Sequence, residues 1–250
     1  MHNDLSLRMT DVPSHLIDVD KSLGFENMRG QDIIIPRLKL IQALSPETDA
    51  GTAKPGDILD SLSAQIVIPK DEQASIIPVF HYLEWIEWAA RSSNEGILSR
   101  SLDPQSALAQ SVMNQEKVIL DDREVWRVTE YHQFIVLVPS ISISMPVAIG
   151  CAKTNHKKGR QLLALARYRG PKPLFAGRYK MTSKKETNKQ NQSYFVFEFT
   201  NDESQPWTSE EEFIAAKACY EGAKEAYDDR RIQTHMDNEI TGEELNETEM

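Results

Sequence analysis

The stretch SIIPVFHYLEWIEW, Ser75–Trp88, decides the fold class. It is dense in Ile, Val, Leu and aromatic side chains, carries a proline and is introduced by Ser75, the composition of an extended strand. Two earlier stretches read the same way, DIIIPRLKLIQAL from Asp32 and GDILDSLSAQIVIP from Gly56, each bounded by Pro, Gly, Asp or Ser. Downstream the pattern returns in KVILDDREVWRV, YHQFIVLVP and SISMPVAIGC, with Asp121 and Asp122 marking a hairpin turn. A short helix is expected between Pro104 and Glu116, capped by Asp103, because Ala107, Leu108 and Val112 recur at helical spacing. Many short strands and few helices predict a mainly β protein with α additions, and an OB-like barrel of five strands is the first choice.

Beyond Cys151 the character changes. In TNHKKGRQLLALARYRG, Thr154–Gly170, either Thr154 or Asn155 caps a helix that Gly170-Pro171 stops. At about 100° per residue, Leu162, Leu163, Leu165 and Ala166 gather on one side, with Lys157, Arg160 and Arg167 opposite. LFAGRYKMT follows, and strict alternation places Phe175, Tyr179 and Met181 on one face and Arg178 and Lys180 on the other. The polar tip SKKETNKQNQS leads into YFVFEFT, the returning strand of a long basic hairpin. A capped helix is expected from Ser209 to about Tyr227, with Glu210, Glu211 and Glu212 in its first turn. The expected organisation is therefore a flexible leader over 1–22, an OB-like nucleic-acid-binding core over 23–200, a C-terminal helix within 201–232 and a disordered acidic tail over 233–250.

Charge is strongly partitioned along this chain of net charge −10. Residues 151–190 hold 12 Lys and Arg against one acid, whereas residues 201–250 hold 4 against 15. Such asymmetry suggests a surface for a polyanion followed by an acidic tail. The plainer alternative is two solvated faces that neutralise each other. The density of bases favours the first, as an electrostatic footprint.

Familiar catalytic signatures are missing from the sequence. It has no GxxxxGK, GxGxxG or GxSxG, and neither Glu-x-Lys nor Asp-x-Lys. His2, His15, His81, His132, His156 and His235 stand at neither HxH nor HxxxH spacing, so each reads as a surface or packed residue. Asp57 with Asp60, or Asp121 with Asp122, offers carboxylates for Mg²⁺, but acids at turns are more often solvated. Cys151 and Cys219 match neither a disulfide framework nor a zinc pattern. No enzyme, cofactor or metal is expected. The opening MHNDLSLRMTDVPS lacks a basic n-region with an apolar core, and runs such as FIVLV are too short to span a bilayer, so a reducing cytoplasm and no membrane partner are expected.

What remains suits a polyanion read without base identity. Single-strand binding needs cations for phosphates and aromatic faces for bases. The candidate set is Lys153, Thr154, Lys157, Lys158, Arg160, Arg167, Tyr168, Arg169, Lys172, Arg178, Tyr179, Lys180, Lys184 and Lys185, with Tyr168 the better stacking candidate. Thr154 belongs to it because the helix start presents free N–H groups to a phosphate. Trp85 and Trp88 stand beside Glu84 and Glu87, which repel phosphates, and read as packing.

The blocks FENMRGQDIIIPRLKLIQALSPE, PGDILDSLS, IIPVFHYLEW and MPVAIGCAKTNHKKGRQLLALARY, followed by the acidic end, resemble the bacteriophage single-stranded-DNA-binding proteins of phage replication and recombination modules. The resemblance covers roughly residues 24–200. It implies an OB fold, protection of DNA strands in an infected host, and an acidic tail that contacts phage or host replication proteins and competes with DNA. The tail departs from that pattern, ending Glu-Met where many such tails finish on an aromatic. DNA and RNA both present phosphates and stackable bases, so RNA remains open as a partner, as does a homo-oligomer.

Overall fold

At the centre runs β4 (Gln73–Trp88), which pairs antiparallel with β8 (Val128–Val138) along most of its length. The computed structural model describes residues 34–93, 95–232 and 234. The leader 1–22 and, apart from residue 234, the acidic tail 233–250 lie outside the described residues. The sheet containing β4 follows the order β11-β10-β4-β8-β9, with β5 (Ile97–Ser101) pairing the far end of β4. Here β9 is Ser142–Cys151, β10 is Tyr179–Thr187 and β11 is Ser193–Asn201. A small sheet is formed by β1 (Leu38–Leu40), β2 (Ile58–Asp60) and β3 (Ile66–Ile68), with the one-turn helix α1 (Pro46–Asp49) between β1 and β2, and a separate hairpin by β6 (Lys117–Leu120) and β7 (Arg123–Trp126).

Both faces of β8 are covered, which explains why FIVLV is continuous rather than alternating. Phe134, Val136 and Val138 enter one core with Leu38, Ile58, Ile149, Met181 and Phe197, while Ile135 and Leu137 face the opposite way. That second face is covered by α4 (Glu210–Asp228). The start of α4 has the expected box: Glu212 N–H donates to Ser209 Oγ at 3.2 Å, and Ser209 N–H donates to Glu212 Oε2 at 2.9 Å.

Pro78 is tolerated in this central strand because β4 is irregular there. Pro78 opposes Val136 and Phe80 opposes Ile135, so Val79 is the extra residue of a bulge. The edge of β4 away from β8 pairs with β10 over Gln73–Ile76 and with β5 over Trp85–Trp88, and Pro78 falls between the two. The bulge changes the phase of the strand: Ile76 lies in the first core, and beyond the bulge it is odd-numbered residues, His81 and Trp85 among them, that turn toward that side.

The class is mainly β with α additions, as the sequence predicts, but the described strands do not close into a barrel. No ladder joins β9 to β11. The segment leading through β1 spans the gap instead. At one end Ala148 N–H donates to Pro36 O at 2.7 Å; at the other, the Gln42 amide donates to Phe195 O and accepts from Phe195 N–H, both at 2.9 Å.

Two local expectations are revised. The helix α2 (Ala107–Met113) is capped by Ser106, whose Oγ accepts from Ala109 N–H, while Asp103 accepts from Gln105 N–H in a turn of its own. Phe175 lies in a 3-10 turn, Leu174–Ala176, and packs beneath α4 against Phe213 and Tyr220, not on the face of Tyr179 and Met181. Asp57 and Asp60 are spent on their loops, Asp57 accepting from Lys54 and Lys70 N–H and Asp60 from Leu62 and Ser63 N–H. Asp121 and Asp122 form the β6–β7 turn with φ of +49° and +63°, the mirror-type turn expected of a two-residue hairpin. Among the described residues no helix is long and apolar enough to cross a membrane.

Candidate nucleic-acid interface

The basic helix α3 spans His156–Tyr168 and buries Gly159 and Leu162. Its exposed positions, Lys157, Arg160, Gln161, Ala164, Arg167 and Tyr168, recur at helical spacing, so the cations form one stripe. From Lys157 to Arg167 the stripe extends about 15 Å at 1.5 Å per residue. It ends at Tyr168, which is 91% exposed. Lys157, Arg160, Arg167, Lys172 and Lys185 have no ion-pair partner among the described residues.

The remaining candidates have structural work. Lys158 pairs with Glu186 at 2.9 Å, tying the first turn of α3 to the outer part of β10. Arg178, the residue before β10, pairs with Glu212 of α4 at 2.6 Å, and its Nε lies 3.7 Å from Asp202. Lys180 donates to Ser75 Oγ at 2.9 Å and lies 3.4 Å from Asp202. Asp202 itself is fully buried. Burial opposes its ionisation, but hydrogen bonds from Ser204, Ser75 and the Gln205 N–H, with the charge of Lys180, outweigh this and hold its carboxyl well below the usual range.

Arg169 is also engaged. It donates to Pro206 O, to Arg178 O at 2.8 Å and to Asn201 Oδ1 at 3.0 Å, while its guanidinium lies over the rings of Tyr179 and Trp207. Tyr179 is 1% exposed, so its ring has no open face for a base. Lys184 pairs with Glu198 at 2.7 Å on the exposed side of the hairpin, an arrangement that solvent screens and a phosphate can replace.

The start of α3 differs from the expected phosphate seat. A 3-10 turn, Lys153–Asn155, leads into it, with Lys153 at φ +50°. Neither Thr154 nor Asn155 caps by its side chain: Asn155, at the cap position, is buried and its Oδ1 accepts from Phe197 N–H at 2.7 Å. The helix is anchored there to β11.

Beneath that same turn lies a group of side chains that the histidine spacing did not reveal. Glu130 and His132 stand on β8, and His156 opens α3; one ligand atom from each lies within 4.8 Å of the others. His156 Nε2 is 2.9 Å from Glu130 Oε1, Trp85 Nε1–H donates to Glu130 Oε2 at 2.9 Å, and His81 Nε2 is 2.9 Å from His132 Nδ1. Burial brings His81 down to about 4, and burial together with the neighbouring histidines does the same for His132. The bond from His156 holds Glu130 below the ordinary carboxylate range, against the opposing effect of burial and with help from Trp85.

A family model described as Pam3 phage gp34-like protein matches residues 6–229. The chain belongs to the Pam3 phage gp34-like family. No curated protein and no solved structure matches it. Membership makes it a phage protein and extends over the whole of α3 and the hairpin.

In this Pam3 phage gp34-like chain, the signal for the Glu130 cluster was the two-residue spacing Glu130-Tyr131-His132. On a strand that spacing puts both side chains on one face. The contributions of His81 and His156 depend on strand pairing and helix docking, which local spacing does not encode.

Proposed function

We propose that the chain binds single-stranded DNA without regard to base sequence and protects it during phage replication or recombination. Phosphates follow Lys157, Arg160 and Arg167, with Lys172 and Lys185 extending the track, and a base stacks on Tyr168. The reading is carried by one observation: within a chain of net charge −10, α3 presents cations with no carboxylate partner among the described residues along one exposed face that ends in a 91% exposed tyrosine. An ordinary solvated helix face interleaves both signs, and α3 has no acid. The acidic C-terminal segment, in this reading, competes for the cationic track and contacts phage or host replication proteins.

The test is a titration of full-length protein with labelled single-stranded DNA, duplex DNA and single-stranded RNA of equal length. Tighter binding of the DNA single strand than of duplex, across unrelated sequences, is expected. Equal or absent binding of all three at low salt overturns the reading. Incubation of the same oligonucleotide with Mg²⁺ should leave it intact; its cleavage would indicate a strand-processing enzyme.

A further inference from the structure

We propose that Glu130, His132 and His156 form a binding site for a divalent transition-metal ion of the Zn²⁺ class. This is independent of the nucleic-acid reading. Two imidazoles and one carboxylate form a donor set that favours Zn²⁺, Co²⁺, Ni²⁺ or Cu²⁺ over Mg²⁺ and Ca²⁺, which require more oxygen ligands. Bonds of about 2.0–2.2 Å in a tetrahedral site place ligand atoms about 3.3–3.5 Å apart. The three atoms offered here already lie within 4.8 Å of one another, so rotamer adjustment, without movement of a strand, brings them to that spacing.

The groups around the three ligands strengthen the assignment. A ligating histidine is ordinarily oriented by a bond from its other ring nitrogen, and ligating carboxylates are likewise held. Both supports are present. His132 Nδ1 donates to His81 Nε2 at 2.9 Å in the tautomer that frees His132 Nε2 for a metal. Trp85 holds Glu130 through Oε2, leaving Oε1, which already faces His156 Nε2 at 2.9 Å. The site has an entry route, since the side chains of His156 and Glu130 retain 29% and 25% of their exposure. Three protein ligands leave a fourth position for water. Because His156 is the first residue of α3 and the other ligands belong to β8, a bound ion pins the beginning of the basic helix to the sheet.

The experiment uses full-length, untagged protein stripped with a chelator, then titrated with Co²⁺ and, separately, Zn²⁺. One equivalent of Co²⁺ is expected to develop the visible bands of a four-coordinate ion, and Zn²⁺ to displace it and raise Tm, whereas Mg²⁺ does neither. His156→Gln and Glu130→Gln change partly exposed side chains and are expected to remain folded by circular dichroism while losing the Co²⁺ bands. His81→Gln, which removes the imidazole supporting His132 but no ligand, should weaken Zn²⁺ binding about 10–100-fold. Absence of stoichiometric binding by the native chain, or one-equivalent binding unchanged in the folded His156→Gln and Glu130→Gln proteins, overturns the assignment.

Discussion

Gly159 lies directly against His132: a Cβ built on the glycine stands 2.8 Å from the histidine Cβ and 3.0 Å from that of Cys151. His132 and Cys151 face each other across β8 and β9, so α3 approaches this pair where it has no side chain. Gly159→Ala should therefore destabilise the fold. Alanine in a helix is favoured over glycine by about 1 kcal/mol, but overpacking against two fixed Cβ atoms costs about 1–3 kcal/mol. Urea unfolding should show a net loss; a gain would mean that α3 moves outward at little cost.

Binding should separate into charge and stacking. Replacing Lys157, Arg160 and Arg167 together with alanine is expected to weaken binding to all single strands alike and to flatten its salt dependence. Tyr168→Ala should cost roughly 1–3 kcal/mol with the salt slope preserved. Fluorescence anisotropy at several salt concentrations distinguishes the two, and wild-type affinity in the triple variant would remove α3 from the interface.

For the native chain, neutralisation of about four or five phosphates predicts a slope near −3 in a plot of log affinity against log salt, at roughly −0.7 per contact. Affinity that does not change with salt would rule out a phosphate track.

Arg178 answers to a different assay. Its truncation leaves buried Asp202 and largely buried Glu212 short of a cation, a loss of about 3–5 kcal/mol for a broken buried pair. Arg178→Ala should lower the stability of the free protein, whereas Arg167→Ala should leave it nearly unchanged. Asp202 also sets an acid limit. Its folded pKa is depressed, so its contribution is complete above the unfolded value near 3.9 and is lost as pH falls through the acid range. Denaturant titrations should show a smaller acid-induced loss of stability in Asp202→Asn, from a lower starting stability.

Six acids and no base follow Met236. Removal of residues 237–250 should tighten binding to single-stranded DNA, most at low salt, where attraction between the tail and the cationic track is least screened. A scrambled tail of the same composition should restore inhibition if charge alone is responsible. Truncated protein that binds no better than full length at low salt would exclude competition by the tail.

Elements with local signals were legible in the sequence. Ser209 and Glu212 form the box expected of them, Asp121-Asp122 turns a hairpin, and the cationic stripe follows helical spacing. Features that depend on distant partners were not. Charge counts identify Arg178 and Lys180 as cations but not that Asp202 engages both. Alternation identifies β4 but not its change of phase at Val79, without which His81 would not reach His132. Apolar patterning likewise supplies enough strands for a barrel, while the junction between β9 and β11 is made by Pro36 and the amide of Gln42.

The bulge at Val79 makes β4 more sensitive to length than to composition. Removing that one residue would rotate everything from Phe80 to Trp88 by one pleat, carrying His81 and Trp85 away from Glu130 and His132 and turning Phe80 and Tyr82 away from α4. Conservative exchanges along the same nine positions leave that phase unchanged. Variation within this family should accordingly accept new side chains in the second half of the strand while keeping its residue count fixed.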